Sequence, residues 1–153
     1  MNRYDIGERL LLTLWVGGMV AVGYMAVPAL FHALAENRQL AGQLAGQLFK
    51  VIYVVGLLAC SALLVGYAVQ HSLAALRRWR GVVLLVAWSS LAAGLFIIQP
   101  QMVALKAQGL LEGSAQAALF GKLHGLSSLL YLVTTVCGLA LVILGMRPAR
   151  SGG

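Results

Sequence analysis

Few side chains in this chain could do chemistry, and they gather toward one end of its apolar stretches. The strongest candidate is His124, inside the segment Phe120-Gly121-Lys122-Leu123-His124-Gly125. A histidine in or near a membrane can hold a ligand, coordinate a metal through neutral imidazole, or carry a proton. His32 lies at the end of the first apolar stretch and is the other candidate metal ligand. Gln99, Pro100 and Gln101 form a third polar element. Pro28 and Pro100 each remove a backbone donor, and this can turn carbonyls toward a cavity. The ligand-binding candidates are therefore His124, Gln99, Pro100, Pro28, Phe49 and Lys122, with His124 and His32 as the metal candidates. Met19, Met25 and Met102 could serve a soft metal, although thioethers at such positions also fill apolar space.

What is missing limits the chemistry further. The sequence has no phosphate loop, Cys-x-x-Cys, nucleophile elbow or His-Glu-x-x-His. Its four acids are Asp5, Glu8, Glu36 and Glu112, all outside the apolar stretches. That argues against a proton pump built on carboxylates and removes the usual partner of a catalytic serine–histidine pair. The expectation is a chain that is not an enzyme and carries no cofactor. Cys60 and Cys137 both fall in apolar runs, which suits small buried residues better than a disulfide.

The elements that must position these residues are helices in lipid. Of 153 residues 61% are apolar and 10% charged, too few charges to clothe a soluble domain. Four apolar stretches predict helices over about 10–34, 51–70, 81–105 and 120–146. They do not alternate in polarity, which excludes barrel strands. The fold expected is all-α, a single four-helix transmembrane bundle. If the N-terminus is cytoplasmic, Arg3, Arg9, Arg77, Arg78, Arg80, Arg147 and Arg150 lie inside, against Arg38, Lys50, Lys106 and Lys122 outside. This asymmetry predicts both termini in the cytoplasm, in a multi-pass protein of a bacterial inner membrane. The net charge of +7 belongs to that pattern rather than to nucleic-acid binding, because the basic residues are not interleaved with aromatics. Ala33-Leu34-Ala35 resembles a signal-peptidase site, but the apolar run before it is too long and holds Trp15, Tyr24 and Pro28, so residues 1–35 are expected to be retained.

Helical spacing assigns faces. His124, Ser128, Tyr131, Thr135 and Gly138 share one stripe, expected to face the bundle, with Leu129, Leu132, Val136 and Leu139 toward lipid. The second helix has Gly42, Gly46, Phe49, Tyr53, Gly56, Cys60 and Tyr67 on one face, and the third Ser89, Ala92, Phe96 and Gln99. On the first, Gly17, Ala21, Tyr24, Pro28 and Phe31 adjoin a stripe of Trp15, Gly18, Met25 and His32. Counting about 1.5 Å per residue from the cytoplasmic boundary puts His32, His124 and Gln99–Gln101 at one level, near the outer interface. A pocket joining His124, Gln99 and Pro100 is the expectation.

The segments Leu14-Trp15-Val16-Gly17-Gly18-Met19 with Val27-Pro28-Ala29-Leu30-Phe31, Ala41-Gly42 to Gly46-Gln47-Leu48-Phe49, Gln99-Pro100-Gln101 and Phe120 to Ser127 resemble, in order and spacing, the transmembrane protein 205-like family. The resemblance implies a small four-helix membrane protein and carries over no catalytic residue. In layout the chain is more distantly similar to copper-resistance D type membrane proteins, but it lacks their many intramembrane histidines and methionines. Two function classes follow. One is a non-catalytic accessory or structural protein, with the lipid bilayer and a second copy or another membrane protein as partners. The other is a protein handling small molecules or metal ions through the cluster around His124.

Overall fold

The computed structural model describes residues 3–71, 73–111 and 113–145. The first span is α1 (Arg3–Val20), a π-helical turn (Ala21–Ala26) and α2 (Val27–Ala33). The second is the unbroken α3 (Arg38–His71). A 3-10 segment (Leu73–Arg77) leads to the third span: α4 (Trp79–Ala92), a second π-helical turn (Ala93–Ile98) and α5 (Gln99–Ala107). The fourth span is α6 (Ala115–Gly145). The described residues contain no strand. All four spans are long and apolar enough to cross a membrane, as the composition requires.

The helix boundaries exceed the sequence expectation, most of all in the second span. There α3 begins at Arg38, thirteen residues before the expected start at Val51. The stretch Gln39-Leu40-Ala41-Gly42-Gln43-Leu44-Ala45-Gly46-Gln47 is too polar to read as membrane helix, yet its period of four keeps Ala41 and Ala45 buried on one ridge. At 34 residues α3 is about 51 Å long, so it reaches well beyond the hydrocarbon. Likewise α6 starts at Ala115, not at 120. Local capping sets these starts. The Leu40 N–H donates to Asn37 Oδ1 (3.0 Å) and the Ala117 N–H to Ser114 Oγ (3.1 Å). Gly109 and Gly113 take positive φ (+83° and +78°) in the loop before α6, where other residues would be strained.

Both π-helical turns end just before a proline. The Val27 N–H reaches the Val22 carbonyl and the Gln99 N–H the Gly94 carbonyl, five residues back instead of four. Pro28 and Pro100 follow one residue later and contribute no N–H. A proline inside a helix clashes with the preceding turn, and the wider π turn makes room for it. Gln101 Nε2 donates to the Ile97 carbonyl (2.9 Å), tying the break in α5 together.

Packing runs in layers. Near the end that carries both termini, Arg80 pairs with Glu8 and its guanidinium lies 5.6 Å from the centre of the Tyr67 ring. Deeper in, the Trp15 indole lies on Gly56 beside Leu91, and Val16 on Gly138. The next layer holds Tyr53 and Tyr131. Gly56 and Gly138 thus face neighbouring helices, and Leu129, Leu132, Val136 and Leu139 are exposed, as their stripes predict.

Two face assignments need correction. On the third span the buried residues are Gly81, Leu84, Ala87, Ser90, Leu91, Gly94, Ile98 and Leu105, while Ser89 and Phe96 are exposed. Within α4 the inward serine is Ser90, one residue from the expected Ser89, and beyond it the π turn takes more residues per turn than an α-helix, so a 3.6-residue stripe drawn through it to Phe96 loses register. On the first span the buried side is Leu12, Trp15, Val16 and Met19, and Gly17 and Ala21 face outward.

Candidate functional site

The residues of the sequence-predicted cluster lie mostly at the surface. His124, Lys122, Pro100, Pro28 and His32 are exposed, and Gln99 and Phe49 are half-buried. The His124 ring stacks on Phe120, one turn earlier on α6, with centroids 6.2 Å apart. Its carbonyl accepts from Ser128 Oγ (2.9 Å). No hydrogen bond or ring contact joins His124 to Gln99, Pro100 or His32 among the described residues. The inward residue at this level is Ser127, not its neighbour Ser128, because the stripe through Tyr131 drifts as it climbs α6. No three His, Cys, Asp or Glu side chains among the described residues come together to hold a metal ion. Met19 is buried in the core.

Lys106 supplies the connection at that end. Its ammonium donates to the Gly42 carbonyl of α3 (3.2 Å) and lies 5.4 Å from the centre of the Phe120 ring. Lys106, Phe120 and His124 therefore form one line across α5 and α6. Sequence alone reads Lys106 as a loop residue.

The densest polar constellation is central and aromatic. The Tyr131 ring meets Phe49 edge-on (5.2 Å between centroids), Tyr53 edge-on (6.1 Å) and Tyr24 tilted (6.1 Å). The Tyr131 hydroxyl donates to the Met19 carbonyl (2.6 Å), and its ring lies against Gly23. Met19 lies two residues before the π turn, so the acceptor sits where the helix changes pitch. Tyr53 OH pairs with Ser127 Oγ (3.3 Å), and its phenol end lies against Gly94. Each π turn thus presents a glycine, and each glycine receives a tyrosine from the other helical hairpin.

This reciprocity escaped the sequence reading, which found Tyr53 and Tyr131 but passed over Gly23, Gly94 and Ser127. The signal was a glycine followed by a proline five residues on in the first span (Gly23, Pro28) and six in the third (Gly94, Pro100). Among the described residues the buried Trp15 indole N–H has no hydrogen-bond partner. Cys60 and Cys137 are free thiols, the first fully buried.

This architecture defines a multi-pass helical membrane protein whose centre is filled by its own aromatic side chains. Residues 10–110 match the family described as Domain of unknown function (DUF4149), and the chain belongs to that family. No curated protein and no solved structure matches the chain.

Proposed function

We propose that this chain is a non-catalytic accessory or structural protein of a bacterial inner membrane, working beside a second copy or another membrane protein. The observation that carries this reading is the filled centre. Trp15, Tyr53 and Tyr131 are 1%, 1% and 5% exposed, and both phenol hydroxyls are spent on partners within the chain. A solute crossing the bundle would have to part three large buried rings. Kinship with the transmembrane protein 205-like family is part of the same proposal, on the segments that carry the resemblance. So is the orientation with both termini in the cytoplasm, supported by seven arginines at that end against four basic residues at the other.

The specific support for the other reading, small-molecule handling at the outer end, is the line Lys106–Phe120–His124. Native mass spectrometry with elemental analysis of gently purified protein separates the two. The accessory reading expects no metal and no solute other than bilayer lipid at one per chain. A stoichiometric metal or solute that disappears in His124→Ala would replace it with the handling reading.

A further inference from the structure

Between the first and second spans lies an open groove of about 390 Å³. Val22 and Leu30 line it from the first span, bracketing Pro28, and Leu44 and Leu48 from α3. The wall has one polar side chain, Gln47, whose exposed amide makes no hydrogen bond within the chain among the described residues. An unpaired amide is costly against hydrocarbon, so its level matters. Tyr67, under the Arg80 guanidinium, marks the boundary at the end carrying the termini. Gln47 is twenty residues from Tyr67 along α3, or about 30 Å, one hydrocarbon thickness. It therefore stands at the opposite boundary, where glycerol and phosphate oxygens lie.

Two features of α3 continue from that point. Gln43 and Gln39 extend the amide face outward at successive turns, all three exposed. Lys50, three residues from Gln47 toward the bilayer centre and beside the groove lining, is exposed and pairs with no carboxylate among the described residues. Its ammonium can snorkel to the Gln47 level. An apolar trough with an amide and an uncommitted cation at the level of its outer end matches the parts of one anionic phospholipid.

We propose that this groove holds one anionic phospholipid from the leaflet opposite the termini, with an acyl chain along Leu44 and Leu48, Gln47 donating to the glycerol ester region and Lys50 to the phosphate. A packed centre and a lateral groove are separate parts of the molecule, so this inference stands apart from the accessory reading.

The test is native mass spectrometry of full-length protein released from nanodiscs of equal phosphatidylglycerol and phosphatidylcholine. One phosphatidylglycerol per chain is expected to stay bound. Leu44→Trp fills the groove and should cut that adduct on the order of tenfold, since two displaced chain methylenes already weaken binding by about that factor. Lys50→Ala should reduce the preference for phosphatidylglycerol over phosphatidylcholine about fivefold, the roughly 1 kcal/mol of one basic residue near a membrane surface. Leu129→Trp, on the exposed face of α6, should retain the lipid, and both tryptophan variants should melt like the parent. Equal loss in both tryptophan variants, no retained lipid in the parent, or an unchanged preference in Lys50→Ala overturns the proposal. A dimer that Leu44→Trp dissolves, with no lipid adduct, also overturns it and assigns the groove to a second copy of the chain.

Discussion

The Tyr131 hydroxyl donates to the carbonyl of Met19 at 2.6 Å, across 112 residues of sequence, and so joins the last span to the first. The bond is buried and short, and its acceptor lies where the helix changes from α to π geometry. Tyr131→Phe should therefore lower stability by about 1–1.5 kcal/mol, the net worth of a hydrogen bond whose acceptor is then left dry. Tyr53→Phe should cost less, because its bond to Ser127 is 3.3 Å and only part-buried. Thermal melts of both variants in one detergent check the order.

Glycine positions divide sharply. A Cβ at Gly23 would fall within 2.8 Å of the Tyr131 hydroxyl and closer still to its ring, whereas a Cβ at Gly17 meets nothing within 4 Å. Gly23→Ala is expected to destabilise by about 1–3 kcal/mol through overpacking. Gly17→Ala is expected to stabilise by up to about 1 kcal/mol, since alanine has the higher helix propensity. A lower melting temperature for Gly17→Ala than for Gly23→Ala would contradict the packing of the first span.

On α6, Gly138→Leu should lower the melting temperature markedly, because even a Cβ there lies 2.7 Å from Val16 Cγ2. Leu139→Phe, one residue on and exposed, should change it little. The pair distinguishes the bundle face of α6 from its lipid face in two measurements.

His124→Ala should leave stability within about 0.5 kcal/mol of the parent, as for other exposed positions. A larger loss would mean that the Phe120–His124 stack under Lys106 holds α5 to α6.

Orientation has a direct reporter. A C-terminal alkaline phosphatase fusion should be inactive and a C-terminal fluorescent protein bright, given the arginines around the termini and the 77–80 segment. The reverse pattern would move the Gln47 end to the cytoplasmic leaflet.

The four spans and most of their faces were legible because lipid imposes a simple demand: apolar residues outward and small or polar ones inward. Gly56, Gly138 and Tyr131 obeyed it. The start of α3 was not legible, because a segment leaving the hydrocarbon no longer needs to be apolar. The inward face of the third span was missed by one residue at Ser89, because adjacent serines give no polarity contrast, and was lost further at the π turn, where a stripe drawn at 3.6 residues per turn cannot anticipate a local change of pitch. The candidate site suffered most. Level along the helix axes grouped His124, Gln99 and His32, but level says nothing of azimuth, and no hydrogen bond or ring contact joins these side chains among the described residues. Lys106, which does bridge helices there, lies past the apolar run and so resembled a loop cation.

The exchange of tyrosines between the hairpins bears on how the protein is made. The first span enters the membrane with its Met19 carbonyl and Gly23 face uncovered, and the residue that covers them is on the last span to be synthesised. The third span, in contrast, finds Tyr53 already waiting beside it. Biogenesis is thereby given a direction: the second half of the chain can settle as it emerges, while the first half stays unfinished until translation is nearly over. A ribosome stalled before Tyr131 should have made 130 of the 153 residues and left the opening helix still unclasped.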